Sequence, residues 1–448
     1  MPGSKTKQKR RFVCVLLALL MAIGALPSRA EDPGSDLRAV IIVSRHGVRA
    51  PLAEEIRDGR YNVDPWPAWP VAAGVLTPHG DQVMRTIGRY YRMRYATLLG
   101  NTLDCAHPHL YAAANNVQRT RASARALLDG LAPECAVPVH SLPDGKMDPL
   151  FNEDTFNARI HADLLAASYR GELGDHPEWW INGYRSELNQ LQQILNGCEK
   201  EDCTRLAAAQ LLDLPSLIEP SGAHSIKLQS PLGLGADFAE HFLLQYVEGM
   251  PMAQVGWGRV TPNELTRLLA LNQSYYDFVL RTPYYSRIVG SDLAAHIDRI
   301  LHSAAGRNAK PSGMGDGKTR FYLLLGHDTN LTGLSGLLNL KWALPDTALN
   351  VTLPGSSILL ELYQPARGSE LAVRALYFSE SMAQMREGSA LGPENPPSVV
   401  PLFIPGCSNV ASADACTLTR FHALVHGVID PSFVDFTIDG QRREGSIP

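Results

Sequence analysis

Residues 39–51 read AVIIVSRHGVRAP, and this stretch decides the fold. Its first five residues form an apolar, β-branched run that ends abruptly at polar residues, which is typical of a buried strand. In open α/β sheets, ligands bind beyond the carboxyl ends of the strands. We therefore expect His46, with Arg45 before it and Arg49 three residues after it, to lie in a cleft. Two guanidiniums beside an imidazole suit a dianionic phosphate better than a neutral substrate.

Two later segments have the same form: a short apolar strand, a polar turn and a helical stretch. The first covers residues 110–131, with the turn NNVQRT at 115–120, and the second covers residues 321–338, with the turn GHDTN at 326–330. Strand ends that converge from distant parts of the sequence predict an α/β domain. Further strands are predicted near the C-terminus, at 356–363 and 371–379.

The region between these two segments has a different pattern. From about residue 151 to residue 255 the apolar spacing is helical, notably at 188–195, 204–212 and 236–247. We predict an inserted, mainly α-helical cap domain. The chain then has four parts: a signal peptide at 1–30, the first part of the α/β domain at 36–150, the cap at 151–255 and the second part of the α/β domain at 256–448.

Two more helices are predicted after the cap. One begins at TPNE, residues 261–264, which is a capping box with proline at the first helical position. The other covers residues 291–303, where Leu293, Ile297 and Leu301 recur on one face, and Gly306 provides the stop signal.

The first 30 residues have the pattern of a secretory signal peptide. Five basic residues between Lys5 and Arg11 precede an apolar segment at 12–26, and residues 28–30 end in a small-x-small cleavage pattern. The apolar segment is too short for a transmembrane helix, and no later stretch is apolar enough to span a bilayer. Removal of this segment changes the formal charge from −4 to −10. Such a charge excludes a general nucleic-acid binder, because phosphate backbones require a basic surface.

Six cysteines follow the signal segment, and an even number in an exported chain favours disulfides. Fifteen connectivities are possible. A zinc site is less favoured, because no C-x2-C occurs and the spacings do not repeat. The simplest pairing joins the close neighbours and leaves one further pair: Cys198–Cys203, Cys407–Cys416 and Cys105–Cys135.

The polar turns together predict the hydrolysis of a phosphate ester. His46 would attack phosphorus and form a phosphohistidine, which divides one difficult displacement into two. Arg45, Arg49 and Arg119 would hold the equatorial oxygens, over which the transition-state charge is spread. We expect no metal and no cofactor in this chemistry, because the arginines supply the positive charge.

Asp328 is the candidate general acid for the leaving alkoxide and the candidate base for the attacking water. His327 would be a further donor to the phosphate. Each also has a simpler interpretation: Asp328 as a helix N-cap, His327 as a core histidine and Arg119 as a surface helix residue. The position of all three in turns that follow apolar strands, as with His46, favours the chemical role.

These motifs resemble the histidine acid phosphatase family, and specifically its bacterial periplasmic branch of acid phosphatase/phytases and glucose-1-phosphatases. RHGVRAP at 45–51 and HDTN at 327–330 carry the resemblance. The likeness extends over nearly the whole mature chain through further segments: WPAWP at 66–70, LTP at 76–78, QRT at 118–120, DPLFN at 148–152, FLLQ at 242–245 and GWGR at 256–259.

The resemblance implies that His46 is the nucleophile and Asp328 the proton donor. It also implies a set of residues that bind the scissile phosphate: Arg45, Arg49, Arg119 and His327. The implied fold is a mixed-sheet α/β domain flanked by helices, with a smaller α-domain and the site in the cleft between them. The family's cysteine framework supports the three pairs above, and its location implies a periplasmic protein.

The substrate is less well determined by the sequence. In phytase-like members, polar or basic residues after the first motif hold the other phosphates of phytate, whereas this chain has Leu52 and Ala53, as in glucose-1-phosphatases. Residues 47–48 and Thr329 look more like the phytase side. Glu240 matches a residue that lines the substrate pocket of phytase-like relatives, but it could equally be an ordinary exposed helix acid.

Three functions remain under consideration. The first is a phosphomonoesterase that acts at acid pH, either broad or phytate-preferring. The second is a glucose-1-phosphatase-like sugar phosphatase. The third, a non-catalytic binding protein for phosphate esters, is disfavoured because a binder has no use for Asp328. Small-molecule phosphate monoesters are the expected partners, without nucleic acid or membrane, and a monomer is sufficient.

Overall fold

The computed structural model describes residues 36–53, 59–174, 176–197, 207–306, 313–345, 347–366, 368–408 and 415–437. The predicted signal peptide at 1–30 and the predicted pair Cys198–Cys203 lie outside the described residues. Within this described part of the chain, no helix is long and apolar enough to cross a membrane.

The described residues form one large mixed sheet and one small hairpin. The strands are β1 (Asp36–Arg45), β2 (Leu110–Ala114), β3 (Val139–His140), β4 (Leu217–Pro220), β5 (Ile226–Gln229), β6 (Phe321–Gly326), β7 (Ser357–Gln364), β8 (Ala372–Ser379), β9 (Ser398–Leu402) and β10 (Ala415–Thr417). The large sheet has the order β10-β8-β7-β1-β6-β2-β3, with β9 also paired to β8, while β4 and β5 form the hairpin. The fold class is mixed α/β, as predicted.

The parallel and antiparallel halves of the sheet meet at β1. This strand pairs parallel with β6 and antiparallel with β7, and β6 pairs parallel with β2. In these registers Arg45 lies opposite Gly326, and Ala114 lies opposite Leu325. The three parallel strands therefore end together, and their polar turns converge as the sequence predicts. We call the side of the sheet beyond Arg45 the carboxyl edge and the opposite side the amino edge.

Helices surround the sheet and fill the long connection between β3 and β6. They are α1 (Pro78–Arg94), α2 (Ala96–Leu99), α3 (Gln118–Leu131), α4 (Ala162–Leu173), α5 (Pro177–Gly183), α6 (Arg185–Leu195), α7 (Pro231–Val247), α8 (Pro262–Arg281), α9 (Pro283–Ala304), α10 (Asp328–Leu337), α11 (Met382–Glu387) and α12 (Leu418–Val428). Short 3-10 helices occur at Glu153–Arg159, Leu211–Asp213, Val255–Gly258 and Pro431–Phe433. The predicted capping box of α8 is present, since Thr261 and Glu264 bond each other's backbone.

Both faces of the sheet are covered, and β1 contributes alternate residues to two cores. Val40 and Ile42 belong to a core that includes residues of α1, α3 and α7. Ile41 and Val43 belong to the other core, which includes residues of α9, α10 and α12. Burial of each side chain contributes roughly 1.5–3 kcal/mol to stability. Because both faces of the sheet are covered, residues 39–43 of β1 are apolar at every position rather than at alternate positions.

Two helices begin earlier than the sequence predicts. α3 begins at Gln118 rather than at residue 121, so Arg119 lies in its first turn. α10 begins at Asp328 rather than at residue 331, and the backbone N–H of His327 donates to Asn330 Oδ1 at 2.8 Å. Short polar side chains accept hydrogen bonds from backbone N–H groups at the start of a helix, but they do the same in turns. The sequence therefore does not distinguish the first turn of such a helix from the turn before it.

The helix predicted at residues 204–212 is wrong over its described part, in which residues 207–210 are not helical. The backbone N–H of Ala207 donates to Asn196 Oδ1 at 2.9 Å, and that of Leu211 donates to Gln192 Oε1 at 2.6 Å. Side chains from the end of α6 therefore accept hydrogen bonds from backbone N–H groups that would bond to carbonyls within a helix. The hairpin of β4 and β5, which follows in the same region, was also not predicted.

Two of the three predicted disulfides lie within the described residues, and both are present. Cys105 is joined to Cys135, with the Cα atoms 5.1 Å apart. Cys407 is joined to Cys416, with the Cα atoms 5.3 Å apart. The second disulfide ties the segment after β9 to β10, and so fixes the outer strand from which α12 starts.

Candidate active site

Backbone hydrogen bonds fix the heptapeptide that begins with the last residue of β1. The N–H of His46 donates to the carbonyl of Gly326 at 3.0 Å, and the carbonyl of His46 accepts from the N–H of Gly355 at 2.9 Å. The N–H of Thr77 donates to the carbonyl of Val48 at 3.0 Å, which ties the motif to the start of α1. His46 is thus held between the end of β6 and the segment that enters β7.

The imidazole of His46 is placed with one nitrogen lone pair available. Its Nδ1 lies 2.8 Å from the carbonyl oxygen of Gly47. A carbonyl oxygen only accepts, so Nδ1 carries the proton and Nε2 carries the lone pair. Burial lowers the pKa of His46 well below its ordinary value, and the charges of Arg119 and Arg45 lower it further. The ring is therefore neutral, as a nitrogen nucleophile must be.

His327 enters the same site from the end of β6. Its ring lies 5.5 Å from that of His46, centroid to centroid, at 75°. His327 Nε2 donates to Asn115 Oδ1 at 3.3 Å, and Nδ1 faces Nη2 of Arg119 at 3.5 Å. Burial, followed by the charge of Arg119, lowers the pKa of His327 to about 3. The ring is thus a neutral group oriented by Asn115, and it lies beside the ring of His46.

Arg45 lies at the centre of a buried charge network and is only 1% exposed. One guanidinium nitrogen donates to the carbonyl of Thr352 at 2.5 Å. The other pairs with Glu240 on α7 and lies 3.0 Å from Asp328 at the start of α10. Burial alone would lower the pKa of Arg45, but the charges of these two carboxylates raise it. Glu240 is itself buried, so its interpretation as an exposed helix acid is wrong.

Asp328 is the first residue of α10, so its interpretation as the N-cap is wrong; His327 takes that position. The Asp328 carboxylate accepts from the N–H of Thr329 at 2.8 Å. Burial favours the protonated form of Asp328, but the charge of Arg45 and the neighbouring His327 outweigh it and hold the pKa below its ordinary value. A phosphate in the cleft would offset the arginine charge and raise this pKa again.

The other predicted residues lie around the same rings. Arg49 is buried, donates to the carbonyl of Ala50 at 3.2 Å, and lowers the pKa of both His46 and His327. Leu52 is half-buried and Ala53 is exposed, just beyond the heptapeptide. The structure thus brings together the six side chains assigned to phosphate binding and proton transfer: Arg45, His46, Arg49, Arg119, His327 and Asp328.

Two residues of the site were not predicted. Asn115, which orients His327, is itself held by Asn152 through a bond of 2.9 Å. Tyr276 on α8 lies near the carboxylates, since the charge of Asp328, then burial and Glu240, raise its pKa well above the ordinary value. Asn115 stands in a strand-end turn, so its position could have indicated a role. Tyr276 lies inside a helix, where no local signal marks it.

Aromatic stacking holds α7, the helix that carries Glu240. Trp66 of the WPAWP segment stacks on His241 with ring centroids 4.0 Å apart at 18°, and it lies 4.4 Å from Trp257. His241 is completely buried, and burial lowers its pKa to about 3. The neutral ring packs as an aromatic group and helps to fix the rotation of α7, and the preceding residue, Glu240, pairs with Arg45.

This fold and this site define a phosphoric monoester hydrolase, with a histidine, arginines and a carboxylic acid at the carboxyl edge of a mixed sheet. Residues 36–378 match the histidine phosphatase superfamily (branch 2), and the chain belongs to that superfamily.

Two curated relatives cover nearly the whole chain. Phytase AppA of Escherichia coli is 30% identical over 429 residues, which are 92% of this chain and 96% of that protein. The glucose-1-phosphatase of Salmonella typhimurium is 28% identical over 426 residues, covering 93% and 98%. Among solved structures, Hafnia alvei phytase in complex with tartrate has a TM-score of 0.80 and 29% identity, covering 90% of this chain and 99% of that one.

Proposed function

We propose that the protein is a periplasmic, phytase-like acid phosphomonoesterase that forms a phosphohistidine on His46. The observation that carries this proposal is the 2.8 Å contact between Nδ1 of His46 and the carbonyl oxygen of Gly47, which leaves the lone pair on Nε2 of a ring that lies near the charges of Arg119 and Arg45. The neighbouring strand end supplies Asp328 as the proton donor. The chemistry follows from these groups in two displacements.

In the first displacement, Nε2 of His46 attacks phosphorus and the bond from phosphorus to the ester oxygen breaks. Arg45, Arg49 and Arg119 stabilise the negative charge on the equatorial oxygens. Asp328 gives its proton to the departing alkoxide. The positive charge on the phosphorylated ring is stabilised by the bond from Nδ1–H to the carbonyl of Gly47.

In the second displacement, the Asp328 carboxylate takes a proton from water, which attacks the phosphohistidine. The bond from phosphorus to nitrogen breaks, inorganic phosphate leaves and Nε2 regains its lone pair. Asp328 is then protonated and ready for the next cycle. His327 donates from Nδ1 to the phosphate once the bound anion favours its protonated ring.

The low pKa of Asp328 explains why we expect activity at acid pH. Arg45 favours the carboxylate, so the proton needed by the leaving group must come with the substrate or from acidic solvent. A phosphate monoester has a second pKa of about 6. Above this pH the free substrate loses that proton, and kcat/KM falls.

Phytate or a similar polyphosphate is the substrate that we favour. Phytases are among the relatives with full-length coverage, and one Hafnia alvei phytase structure contains myo-inositol hexakis sulphate. In this chain the buried Glu240 joins the site through Arg45, and Arg119 is only half-buried. We propose residues 151–255, which carry Glu240, as a cap over the cleft.

A glucose-1-phosphatase-like activity is the second candidate. Leu52 and Ala53, just beyond the heptapeptide, provide no side-chain donor for further phosphates, which favours a substrate with a single phosphate group. A glucose-1-phosphatase is also among the full-length relatives. These two residues are therefore the proposed determinants of substrate choice.

Purified mature protein should hydrolyse p-nitrophenyl phosphate in the presence of EDTA, with higher kcat/KM below pH ~6 than above it. His46→Ala should abolish turnover, while His176→Ala, which changes an exposed histidine on the surface, should leave it unchanged. Loss of activity in EDTA together with residual activity of His46→Ala would overturn the mechanism. The ratio of kcat/KM for phytate and glucose 1-phosphate decides between the two substrates.

A further inference from the structure

Three histidines surround one buried carboxylate on the side of the sheet away from His46. Asp298 and His302 lie one turn apart on α9, and His422 and His426 lie one turn apart on α12. Residues four apart on a helix share a face, and the two helices pack against each other. The four side chains therefore converge between α9 and α12.

The spacing of the ligand atoms suits a small metal ion. Nδ1 of His422 lies 2.8 Å from Oδ2 of Asp298, and Nδ1 of His302 lies 3.4 Å from Oδ1. One ligand atom from each of these three residues lies within 4.8 Å of the others. Bonds of 2.0–2.2 Å in a tetrahedral zinc site place the ligands roughly 3.3–3.6 Å apart. Nδ1 of His302 also lies 2.9 Å from the backbone carbonyl oxygen of Asp298, so metal binding through this atom requires the ring to rotate away from that bond.

The burial of the cluster also fits a metal site. The side chain of Asp298 is 5% exposed, and among the described residues its Oδ1 has no hydrogen-bond partner. A buried carboxylate oxygen without a partner is costly, and a cation would satisfy it. The His422 and His426 side chains are 45% and 59% exposed, and a cleft of about 640 Å³ lies beside them. An ion can therefore enter from solvent.

The registers place this cluster at the amino edge of the sheet. α12 starts directly after Thr417, which lies opposite Ala372. Ala372 lies opposite Tyr363, and Tyr363 lies opposite Leu37 near the start of β1. The phosphatase site lies beyond the other end of β1. The cluster is thus separate from the groups that perform the reaction.

We propose that Asp298, His302 and His422 bind a divalent transition metal, with Zn²⁺ as the ion best suited to these ligands. Imidazole nitrogen and carboxylate oxygen are common zinc ligands, whereas Ca²⁺ and Mg²⁺ require mainly oxygen. The ion replaces the proton that His422 donates to Asp298, because ligand nitrogens must be deprotonated. It is a structural ion that joins α12 to α9, and His426 lies beside it at 3.6 Å from Asp298 Oδ2.

The test uses the mature, full-length protein after treatment with EDTA and dialysis. ZnCl2 is titrated in, bound zinc is measured by mass spectrometry, and Co²⁺ is used as a spectroscopic substitute whose visible absorption reports tetrahedral coordination. We expect one ion per chain and a higher Tm with zinc. His302→Ala and His422→Ala should each weaken binding by more than the roughly 10- to 100-fold that loss of an outer-shell partner costs.

His176→Ala is the matched control, because His176 also pairs with an acid, Glu178, at 2.8 Å but lies outside any such cluster among the described residues. It should bind zinc and gain Tm as the wild type does. Circular dichroism and phosphatase activity, expected to be unchanged in all variants at 25 °C, show that they are folded. Substoichiometric binding by the wild type, or equal binding by His422→Ala, overturns the proposal.

Discussion

Arg45 and Glu240 form an ion pair in which both side chains are shielded from solvent, being 1% and 7% exposed. The two residues are 195 positions apart in the chain. Because the same guanidinium nitrogen also lies near Asp328, Glu240 shares the charge of Arg45 with the proposed proton donor. The pair therefore has both a structural and an electrostatic effect on the site.

Replacement of Glu240 should destabilise the protein. Glu240→Ala leaves the buried Arg45 with less compensation, and loss of one partner of a buried pair typically costs about 3–5 kcal/mol. Glu240→Gln keeps an oxygen acceptor for Arg45 and should cost less. Urea unfolding at pH 7 measures both free energies of unfolding. Equal stability of Glu240→Ala and the wild type would contradict the buried pair.

Asp328→Asn should separate the two displacements. An alkyl phosphate needs a protonated leaving group, so its turnover should fall by about 10²- to 10⁴-fold. With p-nitrophenyl phosphate, whose leaving group needs no proton, the phosphohistidine should still form, but its hydrolysis should be slow. Stopped-flow absorbance should show a burst of one nitrophenolate per enzyme. Absence of a burst, as expected for His46→Ala, would argue against Asp328 as the proton donor.

Gly326→Ala should disrupt the turn that carries His327. A Cβ at this position would lie 2.2 Å from Asn330 Oδ1 and 2.8 Å from a ring carbon of Phe151. We expect a loss of about 1–3 kcal/mol in stability and a lower kcat, because the bond between His327 and Asn330 must move.

Gly171→Ala is the control for this substitution. Gly171 lies in α4, and a Cβ there would have no neighbour within 4 Å. This variant should gain up to about 1 kcal/mol and keep full activity. Thermal unfolding and initial rates of both variants test the prediction, which fails if Gly326→Ala behaves like Gly171→Ala.

Glu380 should make the protein more stable at acid pH. It is 2% exposed, both carboxylate oxygens lack a hydrogen-bond partner among the described residues, and burial raises its pKa to about 8. Between the ordinary pKa of 4.5 and this value the folded state binds more protons than the unfolded state, so this contribution to stability falls as pH rises. Glu380→Gln should remove the effect and gain on the order of 3 kcal/mol at pH 7, but little near pH 4. Urea unfolding of both proteins at pH 4 and pH 7 measures this gain in stability. An equal gain at the two pH values would contradict a protonated Glu380 in the folded state.

Sequence reasoning found the site where the signal is local. His46, Arg119, His327 and Asp328 each lie at or just beyond the end of an apolar strand, and the sheet register then places those strand ends together. A strand and the turn after it are adjacent in the chain, so an apolar run followed by polar residues is sufficient to detect them.

The remaining contacts depend on which helix covers which part of the sheet, and periodicity does not specify this. Glu240 and Tyr276 reach the site from the interiors of α7 and α8, and both have ordinary helical surroundings in the sequence. Likewise, His302 and His422 meet only because α12 packs on α9. Such contacts arise from tertiary packing over long separations.

The bond from Arg45 to the carbonyl of Thr352 spans 307 positions of the chain. During synthesis, the proposed nucleophile His46 is made early, whereas the proposed proton donor Asp328 and the carbonyl of Thr352 follow only after most of the polypeptide. A chain that ends before Asp328 lacks this carboxylate, and it also lacks Gly355, which holds the carbonyl of His46. The proposed site is therefore complete only when nearly the full length has been made and folded.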